Sequence, residues 1–442
     1  MSNHHAEPQW NHPASAAIYE RAQLVIPGGT TRGSIAYGPH PLYAIEGDGA
    51  RVRFEGGHEA VDFLNNFTTL VLGHRHPVVL AAAHRQLDRG NVLGAPTEYE
   101  GRLAQLLVDR LKGVDKVVFS TTGSEAVMVG LRVARAATGR EIVAKFEGGY
   151  HGGYDHAKFS GMVSPDSWGD EVMPTAVPDT GGIPSSVSDQ VAVMTFNRID
   201  SVDRVLSKHK GSVAALIVEP VQGVGGVLPP NPGFLNALRE RCDRDGIVLI
   251  FDEVITQRLA VGGAQEVYDV TPDLTVVSKV MSGGFPIAAL GGRADLMSLL
   301  DGTLPEGPVV YHSGTYNANP LSAAASVATL EQIDRDAIAR LNGLGDEARS
   351  RLSELFRTRS APLSVTGVGS IFNIHFASST PRSYRDVQNT DKEALRVFHL
   401  RMLNAGVMLA TRGLGCISLP MGEDEIAELE NATAKVLSEM GW

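Results

Sequence analysis

Three short apolar runs in this chain of 442 residues end in side chains that could act together. Val213 to Val218 runs into Glu219-Pro220, Ile247 to Phe251 into Asp252-Glu253, and Leu274 to Val277 into Ser278-Lys279. Unalternating runs of this length suit strands buried on both faces of a parallel sheet, and ligands of such sheets sit beyond the carboxyl ends of the strands. Two carboxylates and a lysine are therefore expected to converge on one cleft. A carboxylate beside a heteroaromatic nitrogen keeps that nitrogen protonated, and a lysine in a desolvated cleft can lose its proton and attack an aldehyde. Asp252 and Lys279 are of the right types for those two tasks.

Two further stretches extend the set. Thr121-Thr122-Gly123-Ser124 precedes a helix expected from Glu125 to Ala137, so it offers backbone N–H donors, small side chains and a helix N-terminus to a phosphate. In Gly148-Gly149-Tyr150-His151-Gly152-Gly153 an aromatic ring flanked by glycines can lie flat on a ligand ring, because little else crowds the backbone. A lysine for an aldehyde, an acid for a ring nitrogen, a phosphate turn and a flat aromatic are the demands of pyridoxal 5'-phosphate. Gly73-His74-Arg75-His76-Pro77 places two histidines at i, i+2 before a proline, which is no recognised zinc pattern, and no metal is assigned.

These residues need a scaffold. Tyr99 to Leu111 reads as a helix, Lys116 to Phe119 as a strand, and Phe234 to Arg244 as the helix between two strands, the βαβ unit of an α/β domain. Near the end helices dominate from Leu321, with Ser364 to Phe376 and Gly406 to Leu409 as strands. Leu42 to Phe54 suggests a hairpin turned around Gly47-Asp48-Gly49. The expected division is an N-terminal segment, 1–60, packing with the small domain, a large cofactor-binding domain, 61–330, and a C-terminal small domain, 331–442. The fold class is α/β, with a mostly parallel sheet in the large domain and a smaller α/β domain.

Composition narrows the function classes. The net charge is −11, and no Lys/Arg block is dense enough to follow a nucleic-acid backbone. Apolar runs all fall short of the roughly 18 residues that a bilayer helix needs. With only Cys242 and Cys416 the chain is no disulfide scaffold, and a reducing cytoplasm is expected. Met1 to Pro13 carries His4, His5 and His12 without an apolar core, which reads as a frayed polar tail rather than a secretory signal.

The motifs together resemble the class III aminotransferases of pyridoxal-phosphate fold type I. Those stretches are STTGSEA (120–126), GGYHGG (148–153), VEPVQG (218–223), FDEVIT (251–256), PDLTVVSKVMSGGFP (272–286) and HSGTYNANP (312–320). The resemblance implies that Lys279 is the Schiff-base lysine and that Asp252 holds the pyridine nitrogen. It places Thr122, Gly123 and Ser124 on the phosphate, Tyr150 on the ring, and Glu219 and Val254 around the cofactor. Thr315 would reach the phosphate of a neighbouring subunit, which implies a homodimer with composite active sites.

Within that class, IPGGTTRG (26–33), APTEYE (95–100) and PDTGGIP (178–184) resemble glutamate-1-semialdehyde aminomutases and their relatives, the β-amino-acid transaminases. Thr256-Gln257-Arg258-Leu259 and TRGLGCISLP (411–420) are closer to the aromatic β-amino-acid transaminases. That likeness assigns Arg32 to the carboxylate of a β-amino acid and Arg412 to the keto-acid acceptor, such as 2-oxoglutarate or pyruvate, since a guanidinium binds a carboxylate through two parallel hydrogen bonds. Arg258 receives no substrate role. The leading expectation is a ping-pong transaminase of β-amino acids. A glutamate-1-semialdehyde 2,1-aminomutase is the alternative, followed by a transaminase of unusual or D-aromatic α-amino acids, or a racemase. A non-catalytic binding protein of this fold would be expected to lack Lys279 or Asp252.

Overall fold

The computed structural model describes residues 3–442, which form two compact units. The larger comprises Pro77–Ile338 and Arg382–Gln388, the smaller Met1–His76, Ala339–Pro381 and Asn389–Trp442.

The larger unit is built on a seven-stranded sheet. Its spatial order is Lys116–Ser120, Ala288–Gly292, Leu274–Val277, Val248–Asp252, Val213–Val218, Ile142–Phe146 and Val191–Met194. All neighbours are parallel except Ala288–Gly292, which runs against both strands beside it. The central strands read as continuous apolar runs because both faces are covered. Leu216, Val218, Leu249 and Phe251 pack with Phe234, Leu235 and Leu238 of helix Phe234–Asp245 on one face. Their neighbours Ala215, Ile217, Val248 and Ile250 pack with Val127 and Leu131 of helix Gly123–Thr138 on the other. Side chains alternate across a strand, so burial on both sides removes any polar alternation.

The antiparallel strand sets the level of the site. Across it Ala288 pairs with Ser120 and Ala289 with Val277, so the strand leading to the Thr122 turn and the strand leading to Lys279 end within one residue of each other.

In the smaller unit the expected hairpin is present as Ala44–Asp48 and Arg51–Phe54, followed by Glu59–Asp62. Val407–Met408 joins Glu59–Asp62 in parallel, completing a four-stranded sheet. The stretch read as one strand from Ser364 to Phe376 is instead two antiparallel strands, Ser364–Val368 and Ile371–His375, because Gly369 adopts φ +52 and reverses the chain. Leu414–Cys416 extends this pair to three strands.

The N-terminal residues also depart from the sequence reading. His4 stacks on Trp442 with ring centroids 3.7 Å apart, His5 Nε2 meets Asp391 Oδ2 at 2.9 Å, and His12 Nε2 meets Asn404 Oδ1 at 2.9 Å. Long-range partners that composition does not reveal dock this stretch onto the C-terminal helices. Met1 and Ser2 lie outside the described residues.

Candidate active site

The ends of the central strands open into a cavity of about 150 Å³ lined by Gly123, Ser124, Tyr150, Asp252, Val254 and Lys279, together with Glu219 and His151. Seven of the sequence-predicted cofactor residues therefore come together. Asp252 is the last residue of its strand and 4% exposed. Its Oδ2 lies 2.8 Å from His151 Nδ1, and its Oδ1 accepts the Val254 N–H at 3.2 Å. His151 was passed over in the sequence, where Tyr150 beside it drew the assignment. It is buried, burial holds its pKa below the usual histidine value, and its Nε2 has no hydrogen-bond partner among the described residues. A neutral ring facing a carboxylate through Nδ1 carries its proton there, leaving Nε2 as an acceptor.

Glu219 directly follows strand Val213–Val218. Burial, and then the charge of Asp252, push its pKa up to about 8, while Lys279 and Lys145 oppose the shift. Its Oε2 has no hydrogen-bond partner among the described residues. Near neutral pH Glu219 is thus held mainly as the carboxylic acid. Lys279 stands at φ +38, the left-handed region that side chains other than glycine seldom adopt. Ser282 Oγ donates to its carbonyl at 2.7 Å, and Ser278 Oγ donates to Ile287 O at 2.8 Å, tying down both sides of the lysine. Such backbone strain costs about 1–3 kcal/mol and persists where surrounding structure enforces it.

The phosphate turn is more divided than its sequence suggests. The helix begins at Gly123 rather than Glu125, because Thr122 caps it and Glu125 closes a reciprocal capping box. Glu125 Oε2 accepts the N–H groups of Thr121 and Thr122 at 2.9 and 2.8 Å. Thr122 is thus committed to Glu125 and does not line the cavity, whereas Gly123 and Ser124, whose N–H groups open the helix, do. A side chain at Gly152 would strike Ser124, its Cβ falling 2.2 Å from Oγ, so this glycine is required for the close approach. The ring of Tyr150 is half exposed at the cavity wall, with Lys158 Nζ 5.6 Å from its centroid.

Lys145 is a second residue that the sequence did not disclose. It is fully buried, burial lowers its pKa to about 8, and its ammonium donates to the carbonyls of Gly149 and Ala157 at 3.0 and 3.2 Å and to that of Phe159. Those bonds fold the 149–159 loop that carries Tyr150 and His151. Thr315 lies on an exposed segment and does not line the cavity. Arg258 is fully buried.

Both candidate substrate arginines belong to the smaller unit. Arg32 donates to Asn66 Oδ1 at 2.7 Å and lies 6.0 Å from the centroid of the Phe67 ring; Arg412 lies 5.9 Å from the same ring. Phe67 reaches this position because Asn65, Asn66, Phe67 and Thr68 all have positive φ, from 47 to 73°, a turn of left-handed helix without glycine. Left-handed backbone costs L-residues roughly 1–2 kcal/mol each. Asp62 offsets part of that cost: its Oδ1 accepts the N–H groups of Leu64 and Asn65 at 2.9 and 2.7 Å, and its Oδ2 meets His74 Nε2 at 2.8 Å. Asn65 in turn donates to the carbonyl of Cys416 at 3.2 Å.

The donor set of the strand-end cavity fits pyridoxal phosphate. It has a Glu219 oxygen without a partner among the described residues, a carboxylate braced by a neutral histidine, glycines where a side chain would collide, and a lysine in its lining. Comparison with known proteins agrees. The aminotransferase class-III profile matches residues 34–424. A glutamate-1-semialdehyde 2,1-aminomutase of Methanopyrus kandleri is 37% identical over 97% of this chain and 98% of its own, and further relatives at 35–37% carry the same name. Among solved structures, an omega-transaminase from Sphaerobacter thermophilus is 39% identical over 97% of this chain and 98% of its own, with a TM-score of 0.93. A β-phenylalanine aminotransferase from Variovorax paradoxus is 32% identical over 96% of this chain and 94% of its own, with a TM-score of 0.87. The cofactor is pyridoxal phosphate, as in a solved transaminase with PLP bound that is 36% identical over 98% of this chain and 99% of its own, with a TM-score of 0.91. The chain belongs to the class III aminotransferases.

Proposed function

We propose that the chain transfers the amino group of a β- or ω-amino acid to a keto acid such as 2-oxoglutarate or pyruvate, with Arg32 taking the donor carboxylate and Arg412 that of the acceptor. The observation that carries this reading is the pair of guanidinium groups placed at nearly equal distance from the Phe67 ring, 6.0 and 5.9 Å. A ping-pong enzyme must hold two carboxylates in turn, and two planar forks on one aromatic platform supply that capacity.

Pyridoxal phosphate, when bound here, would be held by Lys279 and would supply an electron sink for the carbon that bears the amine. Lys279 would tether the cofactor, and its amine would take up and return the substrate proton as general base and acid. Asp252 would balance the positive charge of the ring nitrogen, and His151 fixes the orientation of that carboxylate. Gly123 and Ser124 offer N–H groups to the phosphate, with Thr122 shaping the turn through its capping box. Tyr150 would cover the ring face, and Glu219 and Val254 complete the pocket. Val309, Tyr311 and Tyr316, exposed around Thr315, support pairing with a second copy of this chain that receives Thr315.

A second reading, glutamate-1-semialdehyde 2,1-aminomutase, is favoured by the names of the curated relatives, which speak for it more strongly than for the first. It needs no acceptor site, so Arg412 separates the two. Purified enzyme is given β-phenylalanine, β-alanine or D-phenylglycine with 2-oxoglutarate or pyruvate, and glutamate-1-semialdehyde with no keto acid. Glutamate or alanine formed from the β-amino acids upholds the first reading. Turnover of the semialdehyde alone, with every keto acid inert, replaces it by the second.

A further inference from the structure

A cavity of about 410 Å³ opens in the smaller unit, and no role given above accounts for its depth. Its wall is apolar, with Ile35, Phe54, Leu403 and Met408, while Arg32 and Thr411 belong to its polar part. His399, on helix Lys392–Asn404, is 5% exposed and also lines the cavity. Its ring meets Tyr37 edge to face at 5.0 Å, and neither ring nitrogen has a hydrogen-bond partner among the described residues. Burial pushes its pKa down to about 4, so at neutral pH it presents one N–H donor and one lone pair.

Leaving a buried polar group unsatisfied costs about 1–3 kcal/mol, so two such nitrogens on one ring mark a place where a ligand's polar atom would be stabilised. A cavity of roughly 150 Å³ suffices for a benzene ring, so this one has room for an aryl ring and a linker. Arg32 is the one permanently charged side chain among the lining residues. A second charge beside His399 would be buried with no counter-charge among the lining residues, and a wholly apolar group there would leave His399 unsatisfied.

We infer that this cavity receives the apolar body of a carboxylate ligand whose head group pairs with Arg32 and whose far end carries a hydroxyl bonded to His399. His399 is then a specificity-determining residue, selecting amino donors with an aryl side chain hydroxylated at its far end. This rests on the reading of Arg32 as the donor-carboxylate residue.

The test is calorimetric titration of the intact holoenzyme with 3-phenylpropanoate and 3-(4-hydroxyphenyl)propanoate, which carry no amine and cannot react. The hydroxylated acid is expected to bind about tenfold more tightly, the worth of a well-made buried hydrogen bond. His399→Leu should abolish that preference while leaving 3-phenylpropanoate binding within about twofold, and His399→Gln should retain part of it. Leu403→Trp, which fills the cavity, should weaken both acids. Near-ultraviolet circular dichroism of each variant verifies that it is folded, and a misfolded Leu403→Trp leaves the two His399 variants to decide. Equal binding of the two acids, or a preference that survives His399→Leu, overturns the inference. The same preparations are assayed for turnover of β-phenylalanine, its ring-hydroxylated analogue and β-alanine, each with 2-oxoglutarate or pyruvate. Turnover without the binding pattern sinks the cavity assignment alone. The binding pattern without turnover upholds the cavity assignment and sinks the transaminase reading.

Discussion

In the larger unit Asp252, Glu219 and Lys279 leave the ends of buried strands, whereas in the smaller unit Arg32 and Phe67 stand on a loop and a left-handed turn. The first group inherits its positions from the sheet. Its register places the strand ends level, burial strips water from the carboxyl groups, and His151 and the Val254 amide hold Asp252. The second group is exposed or half exposed and depends on a backbone that its own residue types resist. In the proposed function, cofactor chemistry would rest on the strand ends, where Lys279 alone of the three stands at positive φ, while the choice of substrate would rest on a turn of four such residues.

Substitutions that break this contrast should do so in a definite order. Lys279→Ala should have the largest effect, lowering turnover by at least about 10³-fold through loss of tether and proton carrier together, as read by amino transfer to a keto acid. Asp252→Asn should follow at about 10²–10³-fold, since it removes one preorganised charge. If it costs less than tenfold, the pairing of Asp252 with the ring nitrogen is wrong.

The smaller unit should respond in KM rather than in kcat. Arg412→Ala is expected to raise the KM for 2-oxoglutarate about 10- to 100-fold, the worth of a charge-assisted hydrogen-bond pair, with the donor half-reaction unaltered. An unchanged acceptor KM would remove the ground for preferring transaminase to aminomutase. Asn66→Gly should be the mildest. Relief of left-handed strain is offset by the chain entropy that glycine loses on folding, about 0.4–1 kcal/mol, so the melting temperature changes little, while loss of the Arg32 partner raises the donor KM a few-fold.

Glu219 sharpens the comparison through pH. Its folded pKa, about 8, lies above the ordinary carboxyl value near 4.5, so the folded state binds this proton more tightly than the unfolded chain. Stability from this group is full below about pH 4.5 and is lost as the pH rises toward 8. Thermal melting of cofactor-free Glu219→Gln should therefore fall less between those limits than that of the parent. Parallel curves would show that Glu219 is already ionised.

The two regions also differed in how far the sequence disclosed them. Apolar runs ending in Glu219, Asp252 and Lys279 were legible because burial on both faces removes alternation and leaves the first polar residue conspicuous. His151 escaped, since nothing local says that a histidine between glycines will be buried against a carboxylate more than 100 positions away. Lys145 escaped for a different reason: its partners are nearby backbone carbonyl groups, which carry no sequence signal. The capping box Thr122-x-x-Glu125 was visible as letters, yet its consequence, a turn partly closed to phosphate, follows only from the geometry. The turn at 65–68 was the least legible: asparagine tolerates positive φ, but phenylalanine and threonine argue against it, and Asp62 and Cys416, which stabilise it, act from outside the turn. His399 looks like any helix residue until its surroundings are known.

The reversed strand Ala288–Gly292 bears on how the molecule assembles. Its pairing with Leu274–Val277 closes over residues 278–287, a far shorter loop than any other pairing in that sheet requires, whereas its other partner, Lys116–Ser120, lies some 170 residues away. Loop-closure entropy grows with the length enclosed, and local pairings form fastest. The hairpin that carries Lys279 is accordingly expected to be an early element of folding, with amides of 274–292 among the first protected from exchange, and the phosphate turn joins it only when the distant strand docks.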